Sequence, residues 1–191
     1  MKTMFFPISK LCTGAYAANE AKVRVKNYPF DWIGNPYKQT AYAIDKGFDN
    51  LFENYEEIHN KVSDDKVYRI IWDIDYKIFF MHEGEDDISN IKKKYIKRYN
   101  NMITDLKNSD QVILIQSCRE EETLHGHYSR QQSAFKCELP VDEDLDNGSL
   151  ECIKESILKI NPNIIIKSTK YHEHWHEITE ELNQIKENLD T

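Results

Sequence analysis

The spacing of apolar and polar positions changes period several times along the chain. "MFFPIS" (Met4–Ser9) is a short apolar run and predicts a first strand. "TGAYAANEAKV" predicts a helix, because Ala15, Ala17, Ala18 and Ala21 raise its propensity and Ser9 and Thr13 stand where helix starts are signalled. "YPFDWIGNP" contains two prolines and a glycine and predicts a loop. Phe30 and Trp32 are its expected anchors, with Asp31 within reach of nearby backbone amides. "QTAYAIDKGFDNLFENYEEIH" carries apolar residues at helical spacing and predicts two short helices broken near Gly47. "KVYRIIWDI" and "YKIFFMH" are rich in strand formers and separated by little more than Asp75, the pattern of a hairpin.

From there the pattern becomes regular. In "DDISNIKKKYIKRYNNMITDLKNS", Ile88, Ile91, Tyr95, Tyr99, Met102 and Leu106 recur every three or four positions, which predicts an amphipathic helix capped by Asp87 or Ser89. "QVILIQS" is continuously apolar, as buried strands are. A polar stretch follows, with a weak strand expected at Ala134–Leu139 and an acidic loop at Val141–Gly148. "SLECIKESILKIN" then predicts a helix, "PNIIIKST" a strand and "HEITEELNQIKENLD" a closing helix. Alternating helices and strands predict an α/β fold, three-layered, with a mostly parallel central sheet and helices on both faces. A length of 191 residues suits one domain over the whole chain, 1–191.

Charge narrows the partners. The 33 acidic residues outnumber the 25 basic ones, for a formal net charge of −8, and Lys92–Lys94 lies in an acidic neighbourhood. No nucleic-acid or anionic-membrane partner is expected, since both need a positive footprint. No stretch reaches the roughly 20 apolar residues of a membrane span. Pro7, Ser9 and Lys10 end the first apolar run too soon for an export signal, so a cytoplasmic location is expected. Cys12, Cys118, Cys137 and Cys152 lie far apart without a C-x-x-C pair, which suggests reduced thiols and not a disulfide framework or zinc knuckle. No cofactor is expected.

Reactive groups follow several predicted strands. Cys12 comes after Met4–Ser9, and His82 after Tyr76–Met81. Cys118, Arg119 and Glu120 come after Gln111–Ser117. Lys170, Tyr171 and His172 come after Ile164–Ser168. Sites in open α/β sheets form at the carboxyl ends of strands, so parallel strands would bring these groups together. Cys12 at a helix start has a thiol favoured as thiolate by the helix dipole. His82 is the candidate base, and Asp31, Glu83 or Asp73 the group that orients it. An amide near Thr13 would face the oxyanion. Trp32, Arg119 and Tyr171 are the candidate substrate-binding residues. Against this stands the reading of Cys12 as a small buried core residue. "YHEHWHE" spaces His172, His174 and His176 two apart. On a helix His172 and His176 would share a face suited to zinc, with His125 or His127 as a further ligand, although a solvent-facing helix start explains the same pattern.

Taken in order, "FPISKLCTGAYAANEAKVRVKNYPFDWI", "GFDNLFENY", "YKIFFMHEG" and "KKYIKRYNNMITDLKNSDQVILI" resemble a family of bacterial domains of unknown function described as papain-like cysteine peptidases. The likeness spans roughly the first 120 residues. It implies Cys12 as nucleophile, His82 as base and Asp31 as the acidic member, with an α+β papain-like core as the alternative fold. The implied activity is that of a cysteine-dependent hydrolase (thiol protease) or acyl transferase acting on a peptide or small acyl substrate. This chain departs from the family pattern in having Lys10-Leu11 before the cysteine, Glu83 after the histidine, and Ile115-Gln116-Ser117 at the end of the apolar strand. The alternative function is a ligand- or partner-binding module of the same fold without catalysis.

Overall fold

A computed structural model describes residues 1–8, 13–31, 33–34, 36–63, 66–80, 83–84, 86–116, 148–172 and 174–190. The strands are β1 (Thr3–Pro7), β2 (Ile33–Gly34), β3 (Tyr55–Ser63), β4 (Lys66–Asp73), β5 (Ile78–Phe80), β6 (Gln111–Ile115) and β7 (Ile165–Ser168). The helices among the described residues are α1 (Thr13–Glu20), α2 (Tyr37–Lys46), α3 (Ile88–Lys107), α4 (Leu150–Ile160) and α5 (Trp175–Asp190).

The strands form two sheets. β1, β6 and β7 pair in parallel in the order β1-β6-β7, with Thr3 opposite Gln111 and Gln111 opposite Ile165. The others make an antiparallel sheet in the order β2-β5-β4-β3. The expected parallel pairing therefore holds for three strands. The β4–β5 hairpin is formed as its pattern predicts, with Asp73 opposite Ile78. It belongs to the second sheet, however, so the end of β5 is not one of the parallel strand ends that were expected to converge.

Two local expectations are corrected. Residues after Gly47 do not form a second helix. Gly47 ends α2 at φ 78°, where a glycine carries no steric penalty, and Phe52 also takes a positive φ of 59°, which no helix continues through. Tyr55–Ser63 instead pairs with β4, with Tyr55 opposite Asp73 and Ile58 opposite Ile70. Within the predicted loop, Ile33 and Gly34 pair with Phe80 and Phe79, because an edge of the second sheet passes beside them.

Alternate residues of a strand face opposite sides, and β1 and β6 use both. Met4, Phe6, Val112 and Leu114 join the larger core with residues of α2, α3, α4 and the second sheet. Phe5 and Ile115 pack in a smaller core against Ala17 and Ala18 of α1 and Ile178 and Leu182 of α5. Fully buried alanines let α1 approach closely. On α3 the predicted stripe buries Ile91, Tyr95, Met102 and Leu106, and Asp87 caps the helix by accepting from the Ser89 amide at 2.6 Å. Cys152 is a free, half-buried thiol packed against the larger core. The strand expected at Ala134–Leu139 and all but the last residue of the loop expected at Val141–Gly148 lie outside the described residues. Among those described, no helix is long and apolar enough to cross a membrane.

Candidate functional site

The carboxyl ends of the parallel strands are tied together beyond the ladder itself. The Ile8 amide donates to the Ile115 carbonyl at 3.2 Å, and the Thr169 amide to the Leu114 carbonyl at 2.9 Å. Gln116 bonds twice to Thr169, from its backbone amide to the hydroxyl at 3.0 Å and from its side-chain amide to the carbonyl at 2.9 Å. α1 starts on this side of the sheet, five residues after Ile8. Tyr171 is half-buried beyond β7, across the sheet from β1.

Next to β1 the chain makes a tight turn at residues 28–31. Proline stiffens it, and Phe30, with no exposed surface, lodges between Phe6 at 6.1 Å and Phe48 at 5.9 Å. Asp31 closes the turn, its Oδ2 accepting from the Tyr28 amide at 2.8 Å. The same oxygen is ion-paired with Arg24, whose guanidinium also donates to Asn19 at 3.2 Å and to Asn27. The other oxygen, Oδ1, is buried and has no hydrogen-bond partner among the described residues. Desolvation raises the Asp31 pKa to about 6, against the pull of Arg24, the Tyr28 amide and Arg98.

A second buried carboxylate, Glu83, comes just after β5. Its Oε1 accepts from the Tyr95 hydroxyl at 2.7 Å, and its Oε2 is ion-paired with Lys94. Burial first, and then the charge of Glu83, keep the Tyr95 phenol protonated, while Arg98, 5.1 Å from the ring centre, acts in the opposite sense. Asp31 adds to the upward shift, so Tyr95 feels both carboxylates.

The third acid weighed from the sequence, Asp73, serves the backbone. Its Oδ1 accepts from the Tyr76 amide at 2.9 Å and its Oδ2 from the Phe52 amide at 2.7 Å. Thus Asp73 and Glu83 have a donor on each oxygen, and Asp31 has both of its donors among the described residues on one.

Of the residues singled out in the sequence, Cys12, Trp32, His82, Cys118 and Arg119 lie outside the described residues, as do His125 and His127. Asp31, Glu83, Asp73 and Tyr171 lie within them. His172 pairs with Glu181 at 2.8 Å, and the rings of His174 and His176 stack on each other at 5.4 Å. Among the described residues, no group of three or more metal-ligating side chains is placed to hold a metal ion. Sequence reasoning missed Arg24, Lys94, Tyr95 and Arg98 as charge partners. Tyr95 carried a signal, since a tyrosine on a buried helical stripe must find a partner for its hydroxyl. Comparison with family models, with curated proteins and with solved structures finds no significant match.

Proposed function

We propose that this protein is a cysteine-dependent hydrolase or acyl transferase in which Cys12 is the nucleophile, His82 the base and Asp31 the acid that orients the imidazole. One observation carries this reading: Asp31 alone of the three candidate acids keeps an oxygen, buried, with no donor among the described residues. An unmatched buried acceptor costs about 1–3 kcal/mol, a cost that an imidazole N–H would remove. In the reaction the Cys12 sulfur attacks the carbonyl of a peptide or small acyl substrate, and His82 takes the thiol proton and passes it to the leaving group. Water or another acceptor then releases the acyl group from sulfur. Trp32, Arg119 and Tyr171 are the substrate contacts in this scheme. The reading includes the family resemblance, a cytoplasmic location and a single three-layered domain. The separate cores on the two sides of β1 and β6 support the layering.

The test is alkylation by iodoacetamide across pH, with Cys12 located by peptide mass mapping. Cys12 is expected to react well below the ordinary thiol value of about 8.5, and to lose that reactivity in His82→Ala. Asp31→Asn should weaken it. A Cys12 that stays silent until the protein is unfolded would sink the proposal. A non-catalytic binding module is the second reading. It is favoured by Tyr16 and Trp175, which are 44% and 41% exposed and pack edge to face at 4.9 Å at the α1–α5 contact.

A further inference from the structure

We propose that β3 is a self-association edge, where two copies of this chain pair their β3 strands antiparallel about a two-fold axis at Ile58. β3 ends the strand order β2-β5-β4-β3, and among the described residues no strand pairs with its outer side. Such an edge presents a row of backbone donors and acceptors to any strand that fits it. The ladder with β4 runs unbroken from Tyr55 opposite Asp73 to Lys61 opposite Val67, with a bulge only beyond Lys61. β5 pairs only with Ile71, Trp72 and Asp73 of β4. Residues 58–63 and 66–70 therefore form a ribbon with no third strand among the described residues, and a two-stranded ribbon is marginal in water. "YEEIHNKVS" has no proline to interrupt further pairing. Tyr55 is 38% exposed, and the His59 side chain 56%.

The occupant is a second copy because the strand is complementary to itself. Side chains alternate between the faces of a strand, and a two-fold axis normal to the sheet keeps each on its own face. The axis must then pass through a residue position and not between two. At Glu57 it would set carboxylate against carboxylate, and at His59 imidazole against imidazole. At Ile58 it sets Glu57 of each copy across from His59 of the other, and Ile58 across from itself. Opposite charges and apolar pairs at facing positions favour pairing, and like charges oppose it. Half-buried Ile58 lies opposite Ile70, which has no exposed surface. The apolar row that these two begin would continue across the seam into the second copy.

Within one chain Glu57 and His59 are already neighbours, 3.3 Å apart. Arg69, opposite His59 on β4, donates to both Glu57 oxygens at 2.9 and 2.6 Å. These bonds, more than any other influence, hold the Glu57 carboxyl below its usual range, so it stays an anion at the edge. The remaining charged groups on this side are Asp86, Asp87 and Lys92, which line the same open groove of about 930 Å³ between β3 and the start of α3. A net charge of −8 opposes association at long range, so the pairing has to come from this local match. Protonation of His59 adds a positive charge across from Glu57, and association strengthens as pH falls.

The test is sedimentation equilibrium of the full chain, from low to high micromolar concentration, for wild type, His59→Glu, His59→Lys and Ile58→Lys. Circular dichroism and urea midpoints establish that each variant is folded. Wild type is expected to show a monomer–dimer equilibrium that tightens between about pH 8 and about pH 5.5. His59→Glu should weaken it about tenfold, because it sets carboxylates across from Glu57 on both sides of the axis. His59→Lys should tighten it at the higher pH and remove most of the pH dependence. Ile58→Lys should leave a monomer, and if it does not fold, the two variants at exposed His59 decide. A wild type that stays monomeric throughout would overturn the proposal. So would a dimer that His59→Glu leaves unchanged, or one that His59→Lys weakens, since that result puts the axis at His59.

Discussion

Asp31 and Asp73 are both fully buried, and each accepts from a backbone amide three residues away, at 2.8 and 2.9 Å. Burial raises the pKa of both. They differ in what else arrives. Asp73 takes a second amide, that of Phe52, and so holds Phe52 in its positive-φ conformation with its ring against Phe80 at 4.8 Å. Asp31 takes a guanidinium on the oxygen already in use and leaves the other open among the described residues. The first is a backbone staple in the antiparallel sheet. The second is a charge with spare acceptor capacity beside the parallel one. Burial and residue type do not separate these roles; the geometry of the donors does.

The strongest way to break this comparison is Asp73→Ala. It strands two buried amides, and we expect a loss of about 3–5 kcal/mol in urea unfolding with an unchanged m value. A loss near zero would show that Asp73 staples nothing. The next effect is a pH dependence. Asp31 titrates at about 6 when folded and at 3.8 in its ordinary state, so between these values the folded protein holds the extra proton. The associated stability is fully present below 3.8 and is lost as pH rises through about 6. That loss is about 3 kcal/mol by linkage. Urea midpoints of wild type should therefore fall relative to Asp31→Asn between pH 4 and 7, and parallel curves would refute the assignment. The smallest effect sharpens the boundary of the Asp31 unit. Tyr28→Phe removes a bond of 2.9 Å to Asp105 and should cost about 1 kcal/mol, while the Asp31 titration stays in place. A shift of that titration would mean that Asp105 belongs to the same unit.

Much of the fold was legible from short stretches of sequence. The alanines of α1, the three-and-four spacing of α3 with its Asp87 cap, the continuous apolar run of β6 and the break at Gly47 all appear where the pattern puts them. β3 was not legible. Phe52, Tyr55 and Ile58 recur at helical spacing, yet pairing with β4 overrides that local preference. Of the candidate site, the sequence pointed to Asp31 and Glu83 as acids worth attention but not to their partners. Nothing in the sequence marked the lysines of α3 as partners, yet one of them reaches a buried carboxylate.

The division has a physical cause. Helix and strand periods arise from backbone geometry repeated within about ten residues, so one stretch of sequence carries them. By itself the sequence determined most of the elements, their order and the positions that turn toward a core. The donors to carboxylates come from farther away: Arg24 reaches Asp31 across 7 positions, Tyr95 reaches Glu83 across 12, and Phe52 reaches Asp73 across 21. Which oxygen receives a donor and which is left open depends on how separate elements pack. Only the tertiary structure decided that, and with it which of three similar acids keeps an acceptor to offer.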